Sequence, residues 1–221
     1  MARCPWPPCD ARFPAGSRLR SREPSVRRPQ PVTLEGRHVR LEPLGEQHRA
    51  DLVAAATEDP EAMRYMMTNI AAHGWEAWIG EALQGVAAGT YLAWATIDRA
   101  SGRAVGSTRF GDIEPEHGRV EIGWTWIAPS RQRTAINSEA KLLQLRYAFD
   151  DLGATRVALK TDGRNLRSQA AIERLGATRE GVLRRHTRMP DGFLRDTVYY
   201  SILADEWPGV RARLQDRLGR A

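Results

Sequence analysis

The segment that could do chemistry runs from Val120 to Lys141. A strand-like stretch, Val-Glu-Ile-Gly-Trp-Thr-Trp-Ile, stops at Ala128-Pro129. Arg131, Gln132, Arg133 and Thr134 follow, and then a helix start at which Asn137-Ser138 can cap. The first backbone N–H groups of a helix lack intrahelical partners and carry the positive end of its dipole. They suit a phosphate or pyrophosphate, and two arginines add charge and forked hydrogen bonds. A solvated basic loop before an ordinary helix would read the same way, so the segment alone leaves both readings open. Glu121 sits beside apolar Ile122. A carboxylate in a partly apolar cleft can have a raised pKa and take a proton from an ammonium, directly or through water. An exposed strand residue paired with an arginine is the equal alternative.

Other chemistries are excluded. Both cysteines, Cys4 and Cys9, lie near the start, so the body has no thiol nucleophile, disulfide or Cys-ligated zinc. The five histidines are scattered without an i, i+4 pair, and no metal is expected. Phosphate-binding P-loop, dinucleotide Gly-x-Gly-x-x-Gly and Gly-x-Ser-x-Gly motifs are missing.

The elements that must position these residues follow from periodicity. Arg37 to Leu44 alternates like a half-buried strand. Helices are predicted from Glu46 to about Ala56 and from Trp75 to Val86, the latter ended by Gly89. Three strands, Tyr91–Ile97, Arg103–Ile113 and Val120–Ile127, are joined by short turns, which makes an antiparallel meander. A helix to Leu152, a strand at Arg156–Thr161 and a helix from Asn165 to Leu175 come next, the two helices closed by Gly153 and Gly176. Strands near Thr178–Arg185 and Thr197–Leu203 flank a Pro190-Asp191-Gly192 turn, and 209–221 reads as a short basic helix. The expectation is a mixed α/β domain over 32–221, its sheet mostly antiparallel with about seven strands and about four helices. Residues 1–31 carry seven prolines, and residues 1–30 a net charge of +5, so they read as a flexible arm. The other 191 residues are nearly balanced, at +1. A nucleic-acid or ribosome contact is therefore expected only through the arm. No apolar run is long enough for a membrane span, no secretory leader is evident, and a cytoplasmic location is the default.

The loop, the later Asn-Leu-Arg-Ser-Gln-Ala-Ala-Ile-Glu-Arg-Leu-Gly-Ala segment and the closing Asp196-to-Pro208 stretch resemble the GNAT superfamily of N-acetyltransferases over about residues 32–207. The branch they are most similar to includes ribosomal-protein alanine and serine acetyltransferases. The resemblance implies the GNAT fold, acetyl-CoA as acyl donor and a primary amine as acceptor, either a protein N-terminus or a small molecule. It implies that Gln132-Arg133-Thr134-Ala135-Ile136-Asn137, with Arg131 before it, cradles the CoA pyrophosphate. Ala135 stands where the family has Gly, and Asn137 where it has Gly or Ala. It implies that the backbone from Trp124 through Trp126 and Ile127 pairs with pantetheine, and that Asn165 contacts pantetheine or the substrate amide. The acid that protonates the leaving thiolate is often a Tyr seven residues after this Asn. Here that residue is Ile172, which leaves Ser168, Tyr199 or Tyr200. Trp75 and Trp78 could wall the acceptor. A homodimer is compatible with this reading, and so is a non-catalytic acyl-CoA-binding or interaction module that kept the fold.

Overall fold

The computed structural model describes residues 27–220. Cys4, Cys9 and most of the expected arm lie outside the described residues. From Arg27 the chain lies along the body, the Arg27 N–H donating to the Leu152 carbonyl at 2.9 Å.

One sheet of eight strands runs in the order β1-β2-β3-β4-β5-β6-β8-β7. The strands are β1 (Leu34–Glu35), β2 (Val39–Pro43), β3 (Leu92–Asp98), β4 (Arg103–Glu114), β5 (Arg119–Ile127), β6 (Arg156–Asp162), β7 (Thr178–Arg188) and β8 (Leu194–Leu203). The helices are α1 (Arg49–Thr57), α2 (Ile70–Ala87), α3 (Ala135–Arg146), α4 (Leu166–Leu175) and α5 (Trp207–Gly219). That is one strand more than the sequence suggests, and the fifth helix, α5, is the short basic one expected over 209–221. The extra strand, β1, has two residues and so shows no alternation to read.

Every pairing is antiparallel except β5 with β6. Successive strand residues point to opposite faces, which places the helices. Arg109 of β4 meets Glu81 of α2, whereas its neighbour Phe110 stacks on Tyr147 just after α3. Hence α2 covers one face, called here the α2 face, and α3 the other.

Local chemistry sets the ends. Asn69 caps α2, its side chain accepting from the Ala72 N–H, and Gly74 at φ 79° and ψ 168° breaks the first turn from the rest. This break hides the true start of α2 from a periodicity reading that begins at Trp75. Thr134, not Asn137-Ser138, caps α3, and its hydroxyl accepts from the Ile136 N–H. Asn137 and Ser138 lie inside the helix. Beyond Arg146 a π turn, Tyr147–Asp151, completes the predicted helix. Asn165 caps α4 and Gly176, at φ 94°, closes it. Both hairpin strands β7 and β8 extend past their predicted ends toward Pro190-Asp191-Gly192, with Gly192 at φ 84°.

A buried carboxylate ties α3 to the sheet edge. Glu139 accepts from the backbone N–H groups of Arg37, His38 and Val39 at 2.8, 2.6 and 2.7 Å. Three bonds of this kind offset the cost of burying the charge. A side chain at Gly36 would meet the same carboxyl at 2.4 Å, so the turn before β2 is glycine.

Candidate active site

The site begins where a parallel pair comes apart. β5 and β6 pair through Arg119↔Arg156, Val120↔Val157 and Glu121↔Ala158. β5 then continues six residues to Ile127 and β6 four to Asp162, with no further pairing between them. Sequence spacing alone could not show where the two strands part. A bulge re-aims β5 here. Ser107 faces Trp126 and Arg109 faces Gly123, so Thr108 opposes two residues, and Trp124 takes φ 50°.

Beyond the bulge the ladder geometry decides which amides are free. The Ala128 N–H donates to the Val105 carbonyl at 2.8 Å. Bonded and non-bonded pairs alternate in an antiparallel ladder. Ile127 therefore turns its amide away from β4, toward the side where β6 has left. Its carbonyl accepts from Gln132 Nε2 at 3.0 Å.

Two helix starts face this opening, since α3 follows β5 and α4 follows β6. Arg167 Nη1 donates to Gln132 Oε1 at 2.7 Å and links them. In the connecting loop Arg133 adopts φ 62°, a left-handed turn. Thr134 Oγ1 also donates to the Arg131 carbonyl at 2.8 Å. Arg133 is exposed and has no acid partner among the described residues. Arg131 leans the other way, its Nε 3.5 Å from Asp98 Oδ2, beside a cleft of about 430 Å³ that also contains Arg37, His38, Arg99 and Ala135. Asn137 Oδ1 is buried without a hydrogen-bond partner among the described residues.

On the α2 face, Glu121 is 3% exposed and its Oε2 lies 2.8 Å from Lys160 Nζ. Burial pushes the Glu121 carboxyl above its ordinary value, although the Lys160 ammonium opposes this. Lys160 is half-buried, which works against its charge, but the Glu121 carboxylate holds its ammonium above the ordinary range. Gly123 makes room for this carboxylate, because a side chain there would meet Glu121 Oε1 at 2.9 Å. Tyr199 pairs with Lys160 in register and shares its face, with Nζ 6.0 Å from the ring centroid. Tyr200 points to the opposite face and donates its hydroxyl to Glu173 of α4 at 3.1 Å. It cannot serve the Glu121 side. Asn165 Oδ1 accepts from the Ser168 N–H at 3.0 Å, the capping role that Asn at a helix start ordinarily plays. Ile172 is core.

The sequence reading missed Lys160 and Lys141. A usable signal was present: these are the chain's only two lysines among 33 basic residues. Lys141, on α3, is fully buried beneath the bulge and bonds Thr125 Oγ1 at 2.7 Å, Gln144 Oε1 at 2.9 Å and Thr108 Oγ1 at 3.0 Å. With no acid beside it, burial lowers its pKa to about 7.

The family description "Acetyltransferase (GNAT) domain" matches residues 38–178. The chain belongs to the GNAT acetyltransferase family. A GCN5-related N-acetyltransferase from Brucella melitensis is 33% identical over 87% of this chain and 88% of that one, with a TM-score of 0.81. A protein from T. thermophilus is 42% identical over 86% and 98%, with a TM-score of 0.76. Mycobacterium smegmatis RimJ, solved with CoA-disulfide, shares the fold at 22% identity, covering 85% and 95%, with a TM-score of 0.72. No curated protein matches the chain. Among the described residues of this GNAT domain, no group of three or more His, Cys, Asp or Glu could hold a metal, and no helix is long and apolar enough to cross a membrane.

Proposed function

We propose that this chain transfers the acetyl group of acetyl-CoA to a primary amine, by direct attack with both substrates bound. The carrying observation is the parting of β5 from β6 just past Glu121, with the Ile127 amide turned into the gap and two helix starts at its mouth. An extended chain of amides, as in pantetheine, can bond to such an open strand edge. The first-turn amides of α3 and the guanidinium of Arg133 suit its pyrophosphate, and the unbonded Asn137 Oδ1 can accept one more donor.

In this reading Ile127 donates its N–H to the thioester carbonyl, where negative charge develops. Glu121 takes a proton from the ammonium, directly or through water. Its raised pKa suits a base working near neutral pH. Ser168 or Tyr199 gives a proton to the leaving thiolate. Holding both reactants supplies proximity. The body contains no cysteine, so no thiol of the body takes up the acetyl group.

The test is calorimetric titration of acetyl-CoA into the full chain and into an Arg131→Ala/Gln132→Ala/Arg133→Ala variant, followed by thiol release with a panel of amines. Saturable binding weakened at least about tenfold in the variant (about 1.4 kcal/mol) is expected. No binding to the wild-type chain would refute acetyl transfer. Binding without turnover on any amine would favour a non-catalytic acyl-CoA-binding module.

A further inference from the structure

Arg109, in the middle of β4, is fully buried. Its one ionic contact among the described residues is Nη1 to Glu81 Oε1 at 3.2 Å. Nε and Nη2 have no acceptor among the described residues. Trp78, Tyr91 and Trp124 surround the guanidinium, with ring centroids 5.4, 5.5 and 5.8 Å from Cζ. Aromatic faces compensate a buried cation electrostatically, but they do not satisfy its N–H groups. Two further buried polar atoms are left without a bond: Trp126 Nε1, on the ring that meets Trp78 edge-on at 6.1 Å, and Glu81 Oε2, on the carboxylate that contacts Arg109. Buried polar groups in a finished core are nearly always bonded. Here one acceptor and several donors are left over around Arg109 and Trp78.

Their chemistry defines a complement. A free carboxylate would be repelled by Glu81, and a second ammonium by Arg109. A neutral amide offers a carbonyl for Arg109 and Trp126 together with an N–H for Glu81. The Glu81 side chain is 35% exposed, so the place opens to solvent along it. Arg109 pairs with Gly123, two residues beyond Glu121 on the same strand and face. That is roughly 7 Å, about two extended residues.

We propose that Arg109, Glu81 and Trp126 form a subsite that reads an amide group in the acceptor, one or two residue lengths from the amine at Glu121. The placement of the amine rests on the function proposed above. The amide recognition itself does not require acetyl transfer.

The test is therefore a binding measurement on the full chain. Glycylglycinamide, an amine with following amides, is titrated calorimetrically beside n-pentylamine, an amine with none. The expected result is at least about tenfold tighter binding of the amide probe. The difference should vanish in an Arg109→Met/Glu81→Met variant and shrink in Glu81→Gln. The double variant should keep its melting temperature or raise it, because apolar replacement of a buried ion pair is commonly neutral or stabilising. Equal binding of both probes by the wild-type chain would overturn the proposal. So would a preference that survives the double variant, or a lowered melting temperature with the preference unchanged, which would make Arg109 a structural residue. Loss of acetyl-CoA binding in the separate titration would sink the acetyl-transfer reading and leave this comparison decisive for the subsite.

Discussion

Lys141→Met should make the protein more stable at neutral pH and less stable in alkali. In the folded chain the Lys141 ammonium is fully buried without an acid partner and titrates at about 7 rather than 10.5. At about 1.4 kcal/mol per unit, holding the charged form costs about 5 kcal/mol. The sign follows from the depressed folded value. Between pH 7 and 10.5 the unfolded chain binds a proton that the folded chain does not, so wild-type stability rises with pH across that window. Below about pH 7 the penalty is complete and constant. Methionine removes the penalty but also three hydrogen bonds, worth about 1 kcal/mol each. Thr108 and Thr125 still bond each other at 2.7 Å, which limits the loss. The variant should therefore gain about 2 kcal/mol at pH 7. At pH 10, where little of the wild-type penalty remains, it should lose about 2 kcal/mol. Urea unfolding followed by tryptophan fluorescence at pH 7, 8, 9 and 10 measures this. Taking variant minus wild type cancels every other titrating group. A flat difference across that range would refute the reasoning, because it would mean that Lys141 titrates alike in the folded and unfolded chains.

Three further outcomes concern strands β4, β5 and β6. Glu121→Gln should slow transfer by about 10²- to 10⁴-fold and abolish the acid limb of the pH–rate profile, read by thiol release. Lys160→Met should instead move that limb to higher pH, since the Lys160 charge holds the Glu121 carboxyl down against its burial. Gly106→Ala should cost about 1–3 kcal/mol in urea. Its Cβ would sit 2.2 Å from the Trp126 carbonyl oxygen and 3.0 Å from the Ile127 Cα, backbone that cannot swing aside, while Gly181→Ala, with nothing within 4 Å, serves as the neutral control.

Which parts of this were legible in the sequence depended on the range of the interaction. The meander β3–β4–β5 and the α4 boundaries came from period, turn residues and caps, all of them local signals. The family-matched loop was found where the sequence placed it, but its left-handed residue is Arg133 and its cap Thr134. The surroundings of Glu121 were not legible. Lys160 meets Glu121 only because β6 runs parallel to β5, across 39 positions of sequence. Arg109 lies in a stretch of β4 buried on both faces, where alternation gives no warning of a charge inside. The bulge at Trp124 also defeated a strict period of two: Gly123 opposes Arg109 on the α2 face, and three positions later Trp126 packs on Trp78 of α2, where alternation would have sent it to the other face.

The departures from ordinary packing concentrate in one place. Of the four non-glycine residues with positive φ among those described, Asp112 and Trp124 lie on β4 and β5, and Arg133 lies in the loop leaving β5. The buried charges of Arg109 and Glu121 sit on the same two strands, and that of Lys141 directly beneath them. A chain selected for stability alone would remove such features, since apolar replacement is commonly neutral or favourable. Their concentration where β5 leaves β6 is what a working site requires, because local rules of folding are broken where function needs them broken. A comparison of two buried charges puts this to the test. Replacing Glu139, whose three bonds hold the β1–β2 turn, should cost stability at every pH between about 6 and 9. Replacing Lys141 should gain it at neutral pH, and both shifts can be read from the same unfolding curves. If both replacements destabilised alike, the division between a scaffold made by ordinary rules and a strand pair held against them would fail.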